Sequence, residues 1–185
     1  SLTLKPYGDI LKTLEEIVQK KTGKTWISEK SSFALYNAIP ERQRLSEFSP
    51  VAEMKSIKNE VELAGMRQAH IRDAVALCEY FSWLEKEVPK GKLNEVTAAD
   101  RLEQFRKEQD DYISLSFDTI SSVGSNGAII HYSPKLETAK VLNTNEIYLC
   151  DSGAQYRDGT TDVTRTVHFG TPTKYQQECF TRVLK

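Results

Sequence analysis

Between Tyr7 and Lys21 apolar residues recur at helical spacing (Ile10, Leu11, Leu14, Ile17), and the breaker Gly23 follows, so the pattern predicts a helix there. Thr25–Ser28 reads as a short strand. Ser32–Ile39, with Phe33, Leu35 and Tyr36, reads as a short helix ended by Pro40. Pro50 then leads through Val51–Met54 towards a long helix. Its start is placed at Asn59, whose side chain can cap the first free amides, with Glu62 at the N3 position. Ile71, Ala74, Val75, Cys78 and Phe81 share one stripe, taken as the buried face, and Pro89 and Gly91 stop the helix. A second helix is expected over Glu95–Lys107, with Leu102 and Phe105 inward.

Beyond Lys107 the period shortens to that of strands. Ile113, Leu115 and Phe117 alternate with polar residues as in a half-buried strand, Gly124–Gly127 reads as a turn, and Ala128–Tyr132 as a strand. Glu146–Tyr156 and Thr161–Phe169 flank Asp158-Gly159 and predict a β-hairpin. Lys174–Lys185 is helical and reaches the last residue without a C-cap glycine. Helices followed by strands give an α+β chain. The opening α/β segment has almost no sheet, so both ends are expected to be cut from something longer.

The 185 residues suffice for one domain or two small ones. With 25 basic against 26 acidic side chains the net charge is −1, which removes the usual electrostatic case for nucleic acid or an anionic membrane. No apolar run approaches the roughly 20 residues of a membrane span. Cys78, Cys150 and Cys179 are few, odd in number and far apart. They read as buried thiols rather than a disulfide framework, and the compartment as cytoplasmic.

Chemistry concentrates in one stretch. Asp151 directly follows the apolar run Ile147–Cys150, and Asp162 opens a second β-rich run in which Thr164 and Thr166 share its face. A buried carboxylate has to be paired, hydrogen-bonded, metal-bound or protonated. Two on adjacent strands repel unless a cation lies between them, and one or two divalent metals would serve. A tight turn at Asp158-Gly159 would set residue 155 opposite 162. The aspartates would then stand about four residues, roughly 13 Å, apart along the ladder, too far to share metals about 3.5–4 Å apart. Metal bridging therefore requires a register nearer 151 opposite 162, with a wider loop or bulge around Gly159. The competing reading has Asp151 capping a turn and Asp162 paired with Arg165 or another cation.

His131 ends the expected strand shortly before Pro134, where an imidazole could donate to a carbonyl or shuttle a proton; a structural imidazole is the alternative. His70 and His168 read as structural. Cys150, in apolar surroundings beside a carboxylate, is a poor nucleophile. Gly124–Gly127 lacks the lysine and following helix of a phosphate loop.

The run Asp151-Ser152-Gly153-Ala154-Gln155-Tyr156, followed by Asp158-Gly159-Thr160-Thr161-Asp162-Val163-Thr164-Arg165-Thr166, resembles the metal-binding hairpin of the pita-bread metallopeptidases, including its eleven-residue aspartate spacing and x-Thr-Arg. Ser121–Tyr132 is similar to the segment carrying the substrate-side histidine in the family's Xaa-Pro aminopeptidase branch, and Ile71–Cys78 and Trp83–Pro89 also match it. The resemblance covers essentially the whole chain. It implies residues 1–56 as the C-terminal part of a creatinase-like second N-terminal domain, and 57–185 as the N-terminal half of a pita-bread catalytic domain. It further implies Asp151 and Asp162 as metal ligands and His131 as a catalytic, substrate-binding residue. Two divalent ions, manganese in this branch, would be held by two aspartates, one histidine and two glutamates. The last three fall in the family's later half, and no residue here matches them. Peptides with proline second, a homodimeric full-length protein and a cytoplasmic location are also implied. A Xaa-Pro dipeptidase and a non-catalytic pita-bread binding module remain the alternatives.

Overall fold

The computed structural model describes residues 2–185, and the chain divides into two compact units between Lys58 and Asn59. In the first unit a single 3-10 turn (Tyr7–Asp9) opens helix α1 (Ile10–Lys20), strand β1 (Thr25–Ser28) follows, and a short helix α2 (Phe33–Asn37) crosses to β2 (Arg44–Glu47). The two strands pair in parallel, Thr25 opposite Arg44, and α3 (Pro50–Ser56) closes the unit. Strand β2 and helix α3 were not expected. Arg44-Leu45-Ser46-Glu47 has one apolar residue, and what holds it is a cation: the Arg44 guanidinium lies 3.9 Å from the Tyr36 ring centre and donates to the Ile39 carbonyl. The core is small, with Val18, Ile27 and Ile39 buried among Leu14, Leu35 and Tyr36.

In the second unit α4 (Glu60–Glu87) starts where the sequence places it. The Asn59 side-chain Oδ1 accepts from the Glu62 backbone amide at 2.9 Å, and the Glu62 carboxylate accepts from the Asn59 backbone amide at 2.9 Å. Its buried face is not the expected one. Ala69, Asp73, Ala76, Leu77, Tyr80 and Leu84 point inward, whereas Ile71, Ala74, Val75 and Cys78 are exposed and Phe81 is half-buried. The stripe is rotated because Asp73, a residue a hydrophobicity pattern rejects, is buried against Arg106.

Helix α5 (Glu95–Lys107) carries a reciprocal Asn94–Thr97 cap and buries Leu102 and Phe105 as expected. The two helices pack on one face of an antiparallel sheet ordered β4–β5–β8 (Ile120–Val123, Ile147–Ser152, Val163–His168). Leu84, Leu102, Val123, Leu142, Tyr148 and Cys150 fill the layer between. A second sheet is ordered β3–β6–β7 (Tyr112–Leu115, Ala154–Tyr156, Gly159–Thr160). Gly153 joins β5 to β6: any Cβ there would collide with the Thr161 carbonyl and the Ser116 hydroxyl, so the chain passes between sheets only without a side chain. Helix α6 (Lys174–Leu184) ends the described chain, capped by Thr173 and Gln176.

Two β readings change. In β3 a bulge between Tyr112 and Ser114 leaves Ile113 exposed and turns Tyr112 onto Tyr156, ring centres 6.2 Å apart. Ala128–Tyr132 is no strand. A 3-10 segment (Gly124–Ala128) runs into a turn, Ile129 and Ile130 face solvent, and His131 adopts φ 55°. The polar residues of this loop, rather than its apolar ones, are drawn inward, because the buried Glu95 carboxylate binds them.

Candidate metal centre

Burial alternates along β5. Tyr148, Cys150 and Ser152 face the helices, and Ile147, Leu149 and Asp151 face the other way, half-buried. Asp151 is therefore on the open face of the sheet, at the strand's end, and not in the interior of the core. Antiparallel pairing with β8 sets Asp151 opposite Thr164 and Ser152 opposite Val163, and β6 pairs with β7 as Tyr156 opposite Gly159.

The turn is thus the two residues Arg157-Asp158, with Gly159 inside a strand, where its backbone abuts Met66 and Ala69 of α4. Moving the turn back by one residue corrects the register expected from a turn at Asp158-Gly159. Asp162 falls two residues from Thr164, hence two rather than four from the point opposite Asp151, about 7 Å along the ladder. Asp162 lies one residue before β8; if the ladder geometry continued to it, a separation of about 7–8 Å at Cα is one that side chains converging on ions about 3.5–4 Å apart can close.

The carboxylates differ in their partners. Asp151 accepts one hydrogen bond, from the Thr164 hydroxyl at 2.7 Å. Asp162 is exposed and, among the described residues, has neither a hydrogen-bonded side chain nor an ion-pair partner. Arg165 donates to the Thr164 carbonyl at 2.8 Å, so the expected alternative, an Asp162–Arg165 pair, does not form. Two hard oxygen donors close in register, neither paired with a cation among the described residues, suit a divalent metal such as Mn2+ or Mg2+. They form only part of a ligand set, since the described residues contain no group of three or more His, Cys, Asp or Glu that could hold an ion.

Behind β5 the chemistry is of another kind. Arg106 and Asp73 are fully buried and make a bidentate pair, Nε–Oδ1 2.8 Å and Nη2–Oδ2 3.0 Å. Arg106 also donates to the Ser152 hydroxyl and the Tyr156 hydroxyl donates to Asp73. Arg72 pairs with Asp158, tying α4 to the hairpin turn. Burial, reinforced by Asp73, raises the Tyr156 phenol well above its usual range. Burial likewise pushes the Cys150 thiol up to about 11, so it is an unreactive thiol, as the sequence indicates.

His131 is exposed on the loop after β4 and makes no hydrogen bond to either aspartate. His70 donates to the Met66 carbonyl and the ring of His168 accepts from the Gly170 amide, both local roles. The register thus leaves Asp162 two residues from Thr164, the partner of Asp151, and His131 lies on a separate loop. Residues the sequence reading passed over are Glu95, Asp73 and Arg106. A glutamate opening a capped helix and a charged pair on two helices gave no signal that periodicity could detect.

Two family profiles match: metallopeptidase family M24 over residues 64–185, and the creatinase/prolidase N-terminal domain over residues 1–62. The chain is 53% identical over its entire length to the Xaa-Pro aminopeptidase ApepP of Drosophila melanogaster, of which it spans 30%. Among solved structures it superposes on the X-prolyl aminopeptidase of Caenorhabditis elegans, described as a cytosolic enzyme with a di-nuclear active site, at TM-score 0.86 and 38% identity, covering 94% of this chain and 29% of that one. The prolidase of Pyrococcus furiosus, 23% identical with a TM-score of 0.72, shares the fold over 99% of this chain and 51% of its own. The architecture is part of the α+β pita-bread fold, preceded by a creatinase-type segment. On the match over residues 64–185, the chain belongs to metallopeptidase family M24.

Proposed function

We propose that this chain is the N-terminal half of the catalytic domain (57–185), with the end of the preceding domain (1–56), of a metal-dependent aminopeptidase. That enzyme hydrolyses the bond between the N-terminal residue of a peptide and a following proline. The observation that supports the reading is the register that puts Asp162 two residues from Thr164, the partner of Asp151, with no ion-pair partner for either aspartate among the described residues. Asp151 and Asp162 hold the metals from one side, and Thr164 orients Asp151 for that task. His131 binds the substrate and donates a hydrogen bond or proton to its carbonyl oxygen as charge develops there. Two divalent ions, manganese by preference, would supply Lewis acidity and lower the pKa of a bound water. The protein is cytosolic and homodimeric in this reading, and takes peptides with proline at the second position.

The test uses the full-length protein. Chelation should abolish hydrolysis of Arg-Pro-Pro, manganese should restore it best, and free arginine should be the first product. Preference for Xaa-Pro dipeptides over tripeptides would instead make it a dipeptidase. Absence of turnover with any divalent metal would make it a binding module.

A further inference from the structure

Glu95 is the first residue of α5 and is fully buried, a position at which a carboxylate has to be fully satisfied. Four groups donate to it: the Val123 amide at 2.7 Å, the Asn126 side chain at 3.0 and 3.1 Å, the Tyr132 hydroxyl at 2.7 Å and the Lys140 amide at 3.0 Å. One oxygen, Oε1, thus takes the end of β4, and Oε2 takes the segment beyond the loop, with Asn126 bridging both. The amide end of a helix is also where a negative charge is most stable. The Asn126 side chain contacts the Tyr132 hydroxyl at 3.0 Å, and Lys140 reaches Ser125 at 2.7 Å, so the loop is fastened at its start, middle and end. Burial and the neighbouring Glu95 carboxylate push the Tyr132 phenol up to about 12.

The residue next to Tyr132 is His131, at φ 55°. A left-handed backbone at a non-glycine residue costs free energy and persists only where its surroundings impose it. Here the Tyr132 amide donates to the Ile129 carbonyl at 3.2 Å and its hydroxyl to Glu95, so the chain on the far side of His131 is fixed. Among the described residues the His131 side chain has no hydrogen-bond partner to hold it. We infer that Glu95 is a positioning residue for His131, acting through Tyr132 and Asn126. The inference rests on the catalytic reading of His131 proposed above and adds the residue that sets its position.

The experiment is a double-mutant cycle in the full-length enzyme. Tyr132→Phe removes one oxygen and the link to Glu95 without opening the core, and Glu95→Gln removes the charge while keeping volume. Each should lower kcat about 10- to 100-fold with KM and metal content nearly unchanged, the size expected when a reacting group is misplaced by about an ångström. In a His131→Ala background neither should lower kcat further by more than about twofold, because residues acting through one group are not additive. If Glu95→Gln fails to fold, the Tyr132→Phe arm decides alone. Wild-type kcat in Tyr132→Phe, or the same loss with and without His131, overturns the positioning role while leaving His131 catalytic. Wild-type kcat in His131→Ala overturns both together and shows that the fault lies in the reading of the histidine.

Discussion

Strand β5 has carboxylates on both sides, and the two sides treat them in opposite ways. On the helix side Asp73 is 1% exposed and each of its oxygens accepts from Arg106, with the Tyr156 hydroxyl adding a further bond. On the open side Asp151 has one hydroxyl and Asp162 no side-chain partner among the described residues. A buried charge left unpaired costs several kcal/mol, so the inner carboxylate has to be satisfied by the fold itself. The outer pair can be left to water, or to whatever cation the site takes. The same residue type therefore serves structure on one face and is available for chemistry on the other, and the partners distinguish the two.

The sharpest break of that contrast is to neutralise each side in turn in the full-length protein. Asp151→Asn or Asp162→Asn should lower kcat by on the order of 1,000-fold or more, because ion binding worth several kcal/mol to the transition state is lost. Folding stability in metal-free buffer should stay within about 0.5 kcal/mol, since neither side chain is buried in a network. Peptide hydrolysis and urea midpoints, read on the same samples, check both halves. Unchanged turnover would remove the open face from the chemistry.

Asp73→Asn should show the opposite signature: a loss of about 3–5 kcal/mol in stability from an uncompensated buried guanidinium, with metal content at saturating metal unchanged. Replacing both partners, Asp73→Leu with Arg106→Met, should recover most of that loss, because a buried ion pair is frequently no better than an apolar pair of similar volume. A large stability cost that persists in the double variant would mean that the pair stabilises the fold in its own right.

The same contrast explains which parts of the molecule the sequence disclosed. Capping signals are local, so Asn59 and Glu62 marked the start of α4 correctly. The two aspartates were visible because carboxylates interrupt β-rich runs. What failed were the features decided by polar partners far along the chain. Asp73 belongs to the nearly opposite face of α4, buried there because Arg106, 33 residues away, satisfies it. Glu95 pulled Asn126 and Tyr132 inward and so prevented a strand over Ala128–Tyr132, despite its apolar composition. Gly159 left the turn for a strand because α4 packs against its bare backbone. Periodicity assumes that burial follows hydrophobicity, and each of these residues breaks that assumption through a specific contact.

The helix side of β5 should also weaken in alkali. Burial raises the Cys150 thiol from 9.0 to about 11, so the unfolded chain gives up its proton first. Below about pH 9 the stabilisation is fully present, between about 9 and 11 it falls, and above that no more is lost, a total of about 2–3 kcal/mol. Tyr80 and Tyr148, raised by burial and joined hydroxyl to hydroxyl at 2.7 Å, add losses of the same sign above about pH 10. Urea midpoints between pH 8 and about 11 should fall less steeply in Cys150→Ala than in the wild type, by the equivalent of about one proton. Equal slopes would mean that the thiol ionises as readily in the fold as in the unfolded chain.

The smallest expected effect lies at the side-chain hydrogen bond that, among the described residues, touches a proposed ligand on the open face. Thr164 donates to Asp151 at 2.7 Å from directly across the ladder. Thr164→Val keeps the branched shape and the β-propensity of the position and removes only the hydroxyl. Because the site is partly open, the carboxylate oxygen can turn to water, so the loss is that of an ordinary hydrogen bond, about 1 kcal/mol and hence about fivefold in metal affinity. Calorimetric titration of manganese into the full-length metal-free protein measures it, with thermal unfolding as the control for the fold. A loss of about 100-fold would instead mean that Asp151 cannot reach its ligating position without Thr164, which would raise the hydroxyl from a support to a requirement of the site. An unchanged affinity would show that Asp151 is held by its strand alone, and the outer face would then owe its geometry entirely to the register of β5 and β8.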